Sequence, residues 1–267
     1  MSTSEVITSL QNPRVKQAMG LRRRRGRAHA GSILIDGPRE TWRAMEANVD
    51  LIELFICEEL CHSDDCLHVI DGALERGTRL NHVARNVFER LAYGDRLEGI
   101  LAVACPHRWE LGEIRLPDQP LVVVLEGVEK PGNLGAVVRT MDGAGASALV
   151  IADGIIDAYN PNAIRASQGT LFSLPVCPAT TAATLDWLRA NQLQICAARV
   201  DAEQHYDTCD FTQPTAIVLG NEAHGLTDAW NAEDIHGVGI PMHGSGDSLN
   251  VAATAAVMLY EAMRQRK

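Results

Sequence analysis

The sequence predicts an α/β protein in two domains, and three observations lead to this prediction. Segments rich in β-favouring residues alternate with segments of helical length along the chain, which is the pattern of layered α/β folds. The stretch 106–120 (PHRWELGEIRLPDQP) carries three prolines among mixed charges and divides the alternation into two blocks. In the second block, three strand candidates run directly into loops that contain glycine. A chain of 267 residues has room for a core in each block.

We therefore expect an N-terminal domain over 1–105, a linker over 106–119 and a C-terminal domain over 120–267. The N-terminal domain begins with a basic run that we place on a helix. Its predicted strands are 31–37, 51–57, 78–84 and 99–105, and its further helices are 38–50, 64–77 and 87–95. Elements of these lengths predict a layered unit with a partly parallel sheet.

The C-terminal domain alternates in the same way around a polar stretch, 154–169, to which we assign no element. Its predicted strands are 121–128, 148–153, 173–179, 193–200, 215–220 and 237–242, and its helices are 133–145, 181–192 and 248–265. In the last helix we expect Ser248 as the N-cap. Apolar residues recur there at three- and four-residue steps and predict one apolar face made of Leu249, Ala252, Ala256, Leu259 and Met263.

Charge is distributed unevenly along the chain. The formal net charge is −10, yet residues 1–30 hold seven Lys/Arg and one acidic residue. A basic segment on an acidic protein is typical of a local phosphate-binding element, because guanidinium groups bind phosphate oxygens in pairs. The arginines of this run are Arg22, Arg23, Arg24, Arg25 and Arg27. A solvated helix face or a disordered tail is the alternative interpretation.

No apolar run reaches the roughly 18–20 residues that span a bilayer, and the N-terminus lacks the apolar core of a signal peptide. We expect a cytoplasmic protein without membrane association. The seven cysteines suit free thiols better than a disulfide framework. The cluster from Cys57 to His68 could be proposed as a zinc site, but it lacks the paired C-x2-C spacing. We favour redox-inert thiols and expect no metal.

Three glycine-bearing strand ends carry the candidate chemistry. In PGNLGAVVRT, Gly132 and Gly135 allow close backbone approach at a helix N-terminus. Ordinary βα turns also contain glycine, but that alternative explains neither Asn133 nor Arg139. In IVLGNEAHGL, Glu222 follows a strand whose carboxyl end is where open α/β sheets bind ligands.

The third strand end, IPMHGSGDSLNVAATAA, leads through a glycine-rich loop into a helix whose start holds Ser248 and Asn250. A capped helix after a mobile loop is the simpler interpretation of this segment. In this order, the three segments resemble the signature motifs of the SpoU (TrmH-type) RNA ribose 2′-O-methyltransferases. RASQGTLFSLPV (165–176) resembles the family's connecting segment, and VFERLAYGDRLEGILAVA (87–104) resembles the end of its L30e-like N-terminal domain. Two departures, Glu129-Lys130 before the Pro-Gly and Ala252-Ala253, are expected to touch no assigned position.

The resemblance implies a C-terminal SPOUT methyltransferase domain with a trefoil knot, preceded by a smaller L30e-like α/β domain that binds the RNA. It also implies a homodimer and S-adenosylmethionine as the cofactor. The residues that it places at the methyl-transfer site are Asn133, Arg139, Glu222, Ser248 and Asn250. Those that it places around the cofactor are Leu219, Gly220, Asn221, Ile240, Met242, Ser248 and Leu249, and Arg165 joins the basic run as an RNA contact.

The implied reaction is S-adenosylmethionine-dependent 2′-O-methylation of a ribose in structured RNA, with 23S ribosomal RNA favoured over tRNA. The family's proposed activating residue corresponds to Arg139, but a guanidinium stays protonated and makes a poor base. We expect Arg139 to bind the adjacent phosphate, while that phosphate or a water takes the proton. A non-catalytic RNA-binding or ribosome-assembly protein is one alternative. A nicotinamide-dependent oxidoreductase is another, which the lack of a G-x-G-x-x-G after a strand disfavours.

Overall fold

The structure is a computed structural model that describes residues 6–94, 96–154 and 156–267, and the chain forms two compact units. The first unit contains the chain up to His107 together with Tyr159–Ser173, and the second contains Arg108–Ala158 and Leu174–Lys267. The domain limits predicted above, 1–105 and 120–267, stay a prediction.

The first unit is built on a four-stranded sheet in the order β1-β4-β2-β3. Its strands are β1 (Ile33–Asp36), β2 (Asp50–Ile56), β3 (Arg79–His82) and β4 (Ile100–Cys105). The β4 strand is antiparallel to both of its neighbours, whereas β2 and β3 are parallel. The prediction of a partly parallel sheet is therefore confirmed. The helices before β4 are α1 (Pro13–Gly20), α2 (Arg24–Ala30), α3 (Pro38–Glu46), α4 (Asp64–Glu75) and α5 (Arg85–Leu91).

The basic run does not lie on the single helix expected from its sequence: Arg22 and Arg23 lie in the turn after α1, and the other three arginines lie on the short helix α2. A side chain at Gly26 would overlap the carbonyl of Gly20, so α2 can start close to the end of α1 only because position 26 is glycine. Arg27 is buried, and its Nη1 donates to the carbonyl oxygen of Leu21 at 2.7 Å. This arginine therefore joins the two helices, while Arg23, Arg24 and Arg25 are exposed.

The polar stretch 154–169 contains a helix that the sequence analysis missed, α7 (Pro161–Ala166). The Asn160 side chain caps it by accepting from the backbone of Asn162, and Pro161 occupies the first turn. Asn followed by Pro is a helix-start signal that could have been used. The segment is held within the first unit, where Arg43 Nη1 of α3 donates to the carbonyl oxygen of Gln168 at 2.7 Å.

The second unit is built on a six-stranded, wholly parallel sheet in the order β10-β8-β9-β5-β6-β7. The strands are β5 (Leu121–Glu126), β6 (Ala148–Ala152), β7 (Val176–Ala179), β8 (Gln194–Ala198), β9 (Thr215–Leu219) and β10 (Ile235–Val238). Its helices are α6 (Pro131–Ala144), α8 (Thr181–Ala190) and α9 (Val251–Gln265). Strands β5, β6 and β9 are buried along their whole length, which explains their continuous apolar sequences.

The last strand was predicted at 237–242, but β10 ends at Val238. Proline has no N–H to donate to a sheet ladder, so Pro241 cannot continue the pairing. The chain leaves the sheet after Gly239, whose N–H donates to Gln204. The segment that follows is a loop that leads into α9.

The helix α9 is capped by Asn250, not by the predicted Ser248, because the Asn250 side chain accepts from the backbone of Ala252. Its buried face was also predicted wrongly, since only Leu259 of the five expected residues belongs to it. The buried residues are Val251, Ala255, Met258, Leu259 and Ala262. Alanine and valine occur on most sides of this helix, so its apolar periodicity is compatible with two different buried faces. The packing of α9 against α6 determines which of the two is buried.

All seven cysteines are free, and five of them are buried. Burial, together with the neighbouring Cys66, raises the pKa of the Cys61 thiol to about 12. Among the described residues, no group of three or more His, Cys, Asp or Glu side chains could hold a metal ion. None of the described helices combines the length and the apolar character needed to cross a membrane.

Candidate functional site

The candidate site is built at the carboxyl ends of the neighbouring strands β5 and β9, where parallel sheets bind ligands. Glu126 at the end of β5 is buried and accepts hydrogen bonds from Thr181 Oγ1 at 2.9 Å and from Thr227 N and Oγ1 at 2.8 and 2.9 Å. These bonds hold the loop after β9 against the start of α8. Sequence analysis did not single out Glu126, although one acid in a continuous apolar run was the available signal.

The loop after β9 is held by its own backbone and by Asn221. The backbone groups of Asn221 and Gly225 exchange two hydrogen bonds, and the Asn221 side chain donates to the carbonyl oxygen of Gly127 at 2.7 Å. A Cβ at Gly220 would lie 2.6 Å from backbone atoms of Gly225 and Leu226, so only glycine fits there. The side chain and the backbone of Asn221 thus both shape the loop.

Glu222 joins the three motif segments. Its Oε2 accepts from Lys130 Nζ at 2.7 Å, and its Oε1 accepts from the side-chain amides of Asn133 and Asn250, the latter at 3.0 Å. Asn133 lies in the first turn of α6 and Asn250 caps α9, so one carboxylate connects two helix starts with the loop after β9. We call Glu222, Lys130, Asn133 and Asn250 the Glu222 cluster.

Three predicted catalytic residues, Asn133, Glu222 and Asn250, are thus brought together. Lys130 corrects the expectation that the Glu129-Lys130 departure touches no assigned position, because it contacts Glu222 directly. The hydrogen bond to Glu222 raises the pKa of the Lys130 ammonium, so this group stays charged. The sequence does not reveal the contact, since Lys130 and Glu222 are 92 positions apart.

The other two predicted catalytic residues lie outside the Glu222 cluster. Arg139 is exposed on α6 and makes no hydrogen bond or ion pair to any described residue. It follows Asn133 by six positions, which is about 9 Å along a helix axis, so it does not share the end of α6 with Asn133. Ser248 is exposed as well, two residues before the cap of α9.

The loop that precedes α9 offers unpaired polar groups. Pro241 through Asn250 are all exposed, and residues 240–249 make no hydrogen bond within the part of the chain that the structure describes. Two apolar side chains in this loop, Met242 and Leu249, are 38% and 36% exposed. Backbone N–H and C=O groups beside apolar side chains are what a ligand with a polar ring edge requires. Ile240 begins this loop; two other predicted cofactor contacts, Leu219 and Gly220, lie at the end of β9 and directly after it.

The predicted RNA contacts lie in the first unit. Arg22 donates to the carbonyl oxygen of Arg90 at 3.1 Å, and its guanidinium lies 5.5 Å from the ring centroid of Tyr93. Arg165 donates to the carbonyl oxygen of Tyr93 at 2.8 Å and is partly buried. Both side chains are therefore held in place, in contrast to the exposed Arg23, Arg24 and Arg25.

Comparison with known families identifies the second unit. Residues 120–260 match the model of the SpoU rRNA Methylase family. The chain belongs to this family. Residues 12–102 match the MRM3-like substrate binding domain, in the block expected to be an L30e-like domain. The resemblance stated above is thus confirmed for this SpoU family member, and the oxidoreductase alternative is dropped.

Several proteins that are similar to this SpoU family member match it over almost its whole length. A 23S rRNA (uridine(2479)-2′-O)-methyltransferase of Streptomyces viridochromogenes is 33% identical over 97% of this chain and 92% of its own. A solved RNA 2′-O ribose methyltransferase is 39% identical with a TM-score of 0.87, covering 98% of this chain and 99% of its own. An AdoMet-bound rRNA methyltransferase from Sinorhizobium meliloti is 27% identical with a TM-score of 0.88, covering 97% of each chain. These similarities confirm the predicted fold class, which is a smaller N-terminal α/β domain followed in the chain by a knotted SpoU domain.

Proposed function

We propose that this SpoU family member transfers a methyl group from S-adenosylmethionine to a ribose 2′-hydroxyl of ribosomal RNA, with 23S rRNA as the favoured substrate. The observation that carries the proposal is the Glu222 cluster, which joins the three family motifs through one carboxylate. The names of the relatives support 23S rRNA over tRNA. A tRNA ribose is the second substrate to be tested.

The residues at the ends of β9 and β10 fit S-adenosylmethionine. The loop of residues 240–249 has unpaired backbone N–H and C=O groups for the edge of an adenine, and Met242 and Leu249 supply apolar contact. We assign cofactor binding to Leu219, Gly220, Asn221, Ile240, Met242, Ser248 and Leu249. When bound, the cofactor supplies a methyl group on a positively charged sulfur.

Positioning is the main contribution of the protein to such a transfer, because the attacking oxygen must lie in line with the methyl group. Both carboxylate oxygens of Glu222 already accept hydrogen bonds, so this residue holds Asn133 and Asn250 in place rather than acting as a base. The Asn133 oxygen and the second N–H group of each amide then orient the ribose. Ser248, two residues before Asn250, is assigned to the same rim.

Arg139 is assigned to the RNA phosphate beside the target ribose. It is exposed and has no partner among the described residues, so its guanidinium is available to bind two phosphate oxygens. This contact would orient the ribose and stabilise the negative charge that develops on its 2′-oxygen. A guanidinium does not accept the hydroxyl proton, which passes to the phosphate or to a water molecule.

The first unit is assigned to RNA selection. Arg23, Arg24 and Arg25 form an exposed positive surface, and Arg22 and Arg165 are held beside Tyr93. Arg27 is buried and bonded to Leu21, so we leave it out of this surface. Ribosomal RNA as substrate also supports the cytoplasm as the location of the protein.

A homodimer belongs to the proposal as well. Apolar side chains around the start and the outer face of α9 are exposed, with Met242, Leu249 and Tyr260 at 38%, 36% and 47%. Association of two copies through these side chains would remove them from water. Size-exclusion chromatography with light scattering measures the mass of the assembly, and a mass of one chain would count against the homodimer.

Methyl transfer is tested with purified protein, S-adenosylmethionine labelled in its methyl group, and unmodified transcripts of 23S rRNA, 16S rRNA and tRNA. We expect label in 23S rRNA at one ribose, located by resistance to alkaline cleavage. Label in tRNA alone would reverse the substrate assignment. Calorimetric titration with S-adenosylmethionine separates the enzyme from a non-catalytic RNA-binding protein, since neither binding nor transfer is expected of the latter.

A further inference from the structure

Lys130 stands out among the basic residues of the chain. Lysine occurs only at positions 16, 130 and 267, so arginine supplies nearly all positive charges. Lys130 is the residue before α6, and its side chain is 72% exposed while its Nζ lies 2.7 Å from Oε2 of Glu222. An ammonium group is a compact point charge with three N–H donors, of which this contact uses one.

Stability does not explain the contact between Lys130 and Glu222. Ion pairs on a protein surface contribute little to folding, because solvent screens them and two side chains lose mobility. The loop that carries Glu222 is already held by Asn221, and the carboxylate already accepts from Asn133 and Asn250. Removing the ammonium would therefore leave the fold of this loop intact.

The charge of Lys130 matters more for a polyanion that approaches the Glu222 cluster. Glu222 brings a negative charge to the site where the RNA backbone must come close, and the exposed Glu129 brings a second one. The negative charges of these carboxylates repel an approaching phosphate. Lys130 offsets the charge of Glu222, and its two remaining N–H groups can donate to a phosphate oxygen.

We propose that Lys130 is an RNA-positioning residue, which neutralises Glu222 and binds a backbone phosphate of the substrate at the methyl-transfer site. The inference rests on the proposed function for the nature of the substrate. It adds a contact separate from the one assigned to Arg139. It also gives a purpose to a residue that departs from the acidic or amide residue common before the Pro-Gly of this family.

The test compares Lys130→Gln, Lys130→Arg and Lys130→Glu with the wild type, and uses Lys267→Gln as the matched loss of one exposed lysine charge. RNA affinity is measured by fluorescence anisotropy with a 23S rRNA fragment between 50 and 200 mM KCl, about the range in which phosphate contacts are read. We expect Lys130→Gln to raise the Kd and the KM for RNA about three- to tenfold, with kcat and S-adenosylmethionine affinity within about twofold. The slope of log K against log salt should fall by about 0.7–0.9, the value for one phosphate.

Lys130→Arg should restore the slope, Lys130→Glu should weaken binding further, and Lys267→Gln should match the wild type. A wild-type salt slope in Lys130→Gln overturns the inference, and so does a fall in kcat with unchanged RNA affinity, which would mean that Lys130 only aligns Glu222. The titration needs no catalysis. Absence of methyl transfer by the wild type would therefore count against the proposed function, and the salt slope would still decide the role of Lys130.

Discussion

At the scale of single residues, the Glu222 cluster and Arg139 differ in how they are held. Asn133 and Asn250 share one carboxylate oxygen of Glu222, so their amides are fixed before any ligand arrives. Arg139 has no partner among the described residues and is exposed. A side chain of this kind contributes little to folding and is available for a substrate, which makes it a direct probe of the chemistry.

Replacing Arg139 should therefore slow methyl transfer strongly without changing the affinity for S-adenosylmethionine. We expect Arg139→Ala to lower kcat by about 10²- to 10³-fold, as the loss of one group that stabilises developing charge does. Arg139→Lys should fail as well, because an ammonium lacks the planar fork that binds two phosphate oxygens. Single-turnover transfer assays and calorimetry with S-adenosylmethionine measure the two effects. Loss of cofactor affinity in Arg139→Ala would indicate a structural role instead.

Asp36 in the first unit gives a prediction about pH. Burial raises its pKa from the ordinary 3.8 to about 7, against the lowering effect of the Tyr93 N–H and of Arg165. Because the folded protein binds this proton more tightly than the unfolded chain, Asp36 costs stability increasingly as pH rises from about 4 to about 7.

Asp36→Asn keeps an acceptor for the Tyr93 N–H and removes the charge. The variant should melt at a higher temperature than the wild type at pH 8, with a difference that shrinks toward pH 5. Thermal unfolding at several pH values measures it, and Asp71→Asn, at an exposed position of α4, is the control. An equal difference at every pH would contradict the prediction.

At the scale of elements, the apolar strands and the longer helices could be predicted, because each carries its own periodicity. Helix α7 has no apolar repeat, so it was not predicted. The strand β10 ends before Pro241, so its predicted end at 242 was wrong. The buried face of α9 depends on its contact with α6, which no local pattern records. Element type was thus readable from the sequence, whereas the choice between two apolar faces needed the tertiary structure.

The turn at Gly220 ties element geometry to stability. A Cβ there would lie 2.6 Å from backbone atoms of Gly225 and Leu226, so Gly220→Ala should destabilise the protein by about 1–3 kcal/mol, the usual cost of overpacking. Gly132→Ala is the matched control, since nothing lies within 4 Å of its added Cβ. Urea unfolding of both variants measures the difference. Equal stabilities would show that the loop after β9 moves freely.

At the scale of the whole molecule, the resemblance of three motifs to the SpoU family predicted five residues at the methyl-transfer site, and the structure brings three of them into the Glu222 cluster. Its fourth member, Lys130, could not be predicted, because an ion pair across 92 positions leaves no mark on local sequence. The basic run was predicted as one surface. Arg27 does not belong to this surface, because its guanidinium is buried and donates to the backbone carbonyl oxygen of Leu21.

The exposed part of that run should contribute most of the salt dependence of RNA binding. We expect the triple variant Arg23→Gln, Arg24→Gln and Arg25→Gln to weaken RNA binding and to lower the salt slope by about 2–3, close to one phosphate per arginine. Thermal stability should change little, because all three side chains are exposed. Arg27→Gln should show the opposite pattern, with a lower thermal stability and an unchanged salt slope. An unchanged slope in the triple variant would exclude the surface from RNA binding.

The chain enters the first unit twice, and this order has a consequence for synthesis. Tyr159–Ser173 belongs to that unit but is encoded between β6 and β7 of the other one. Its buried residues Pro161, Ile164 and Leu171 are made only after Arg108–Ala158, about a third of the second unit, has been synthesised. The first unit therefore cannot be completed until part of the second one has been made, and a single cut in the gene after His107 would separate the first unit from Tyr159–Ser173.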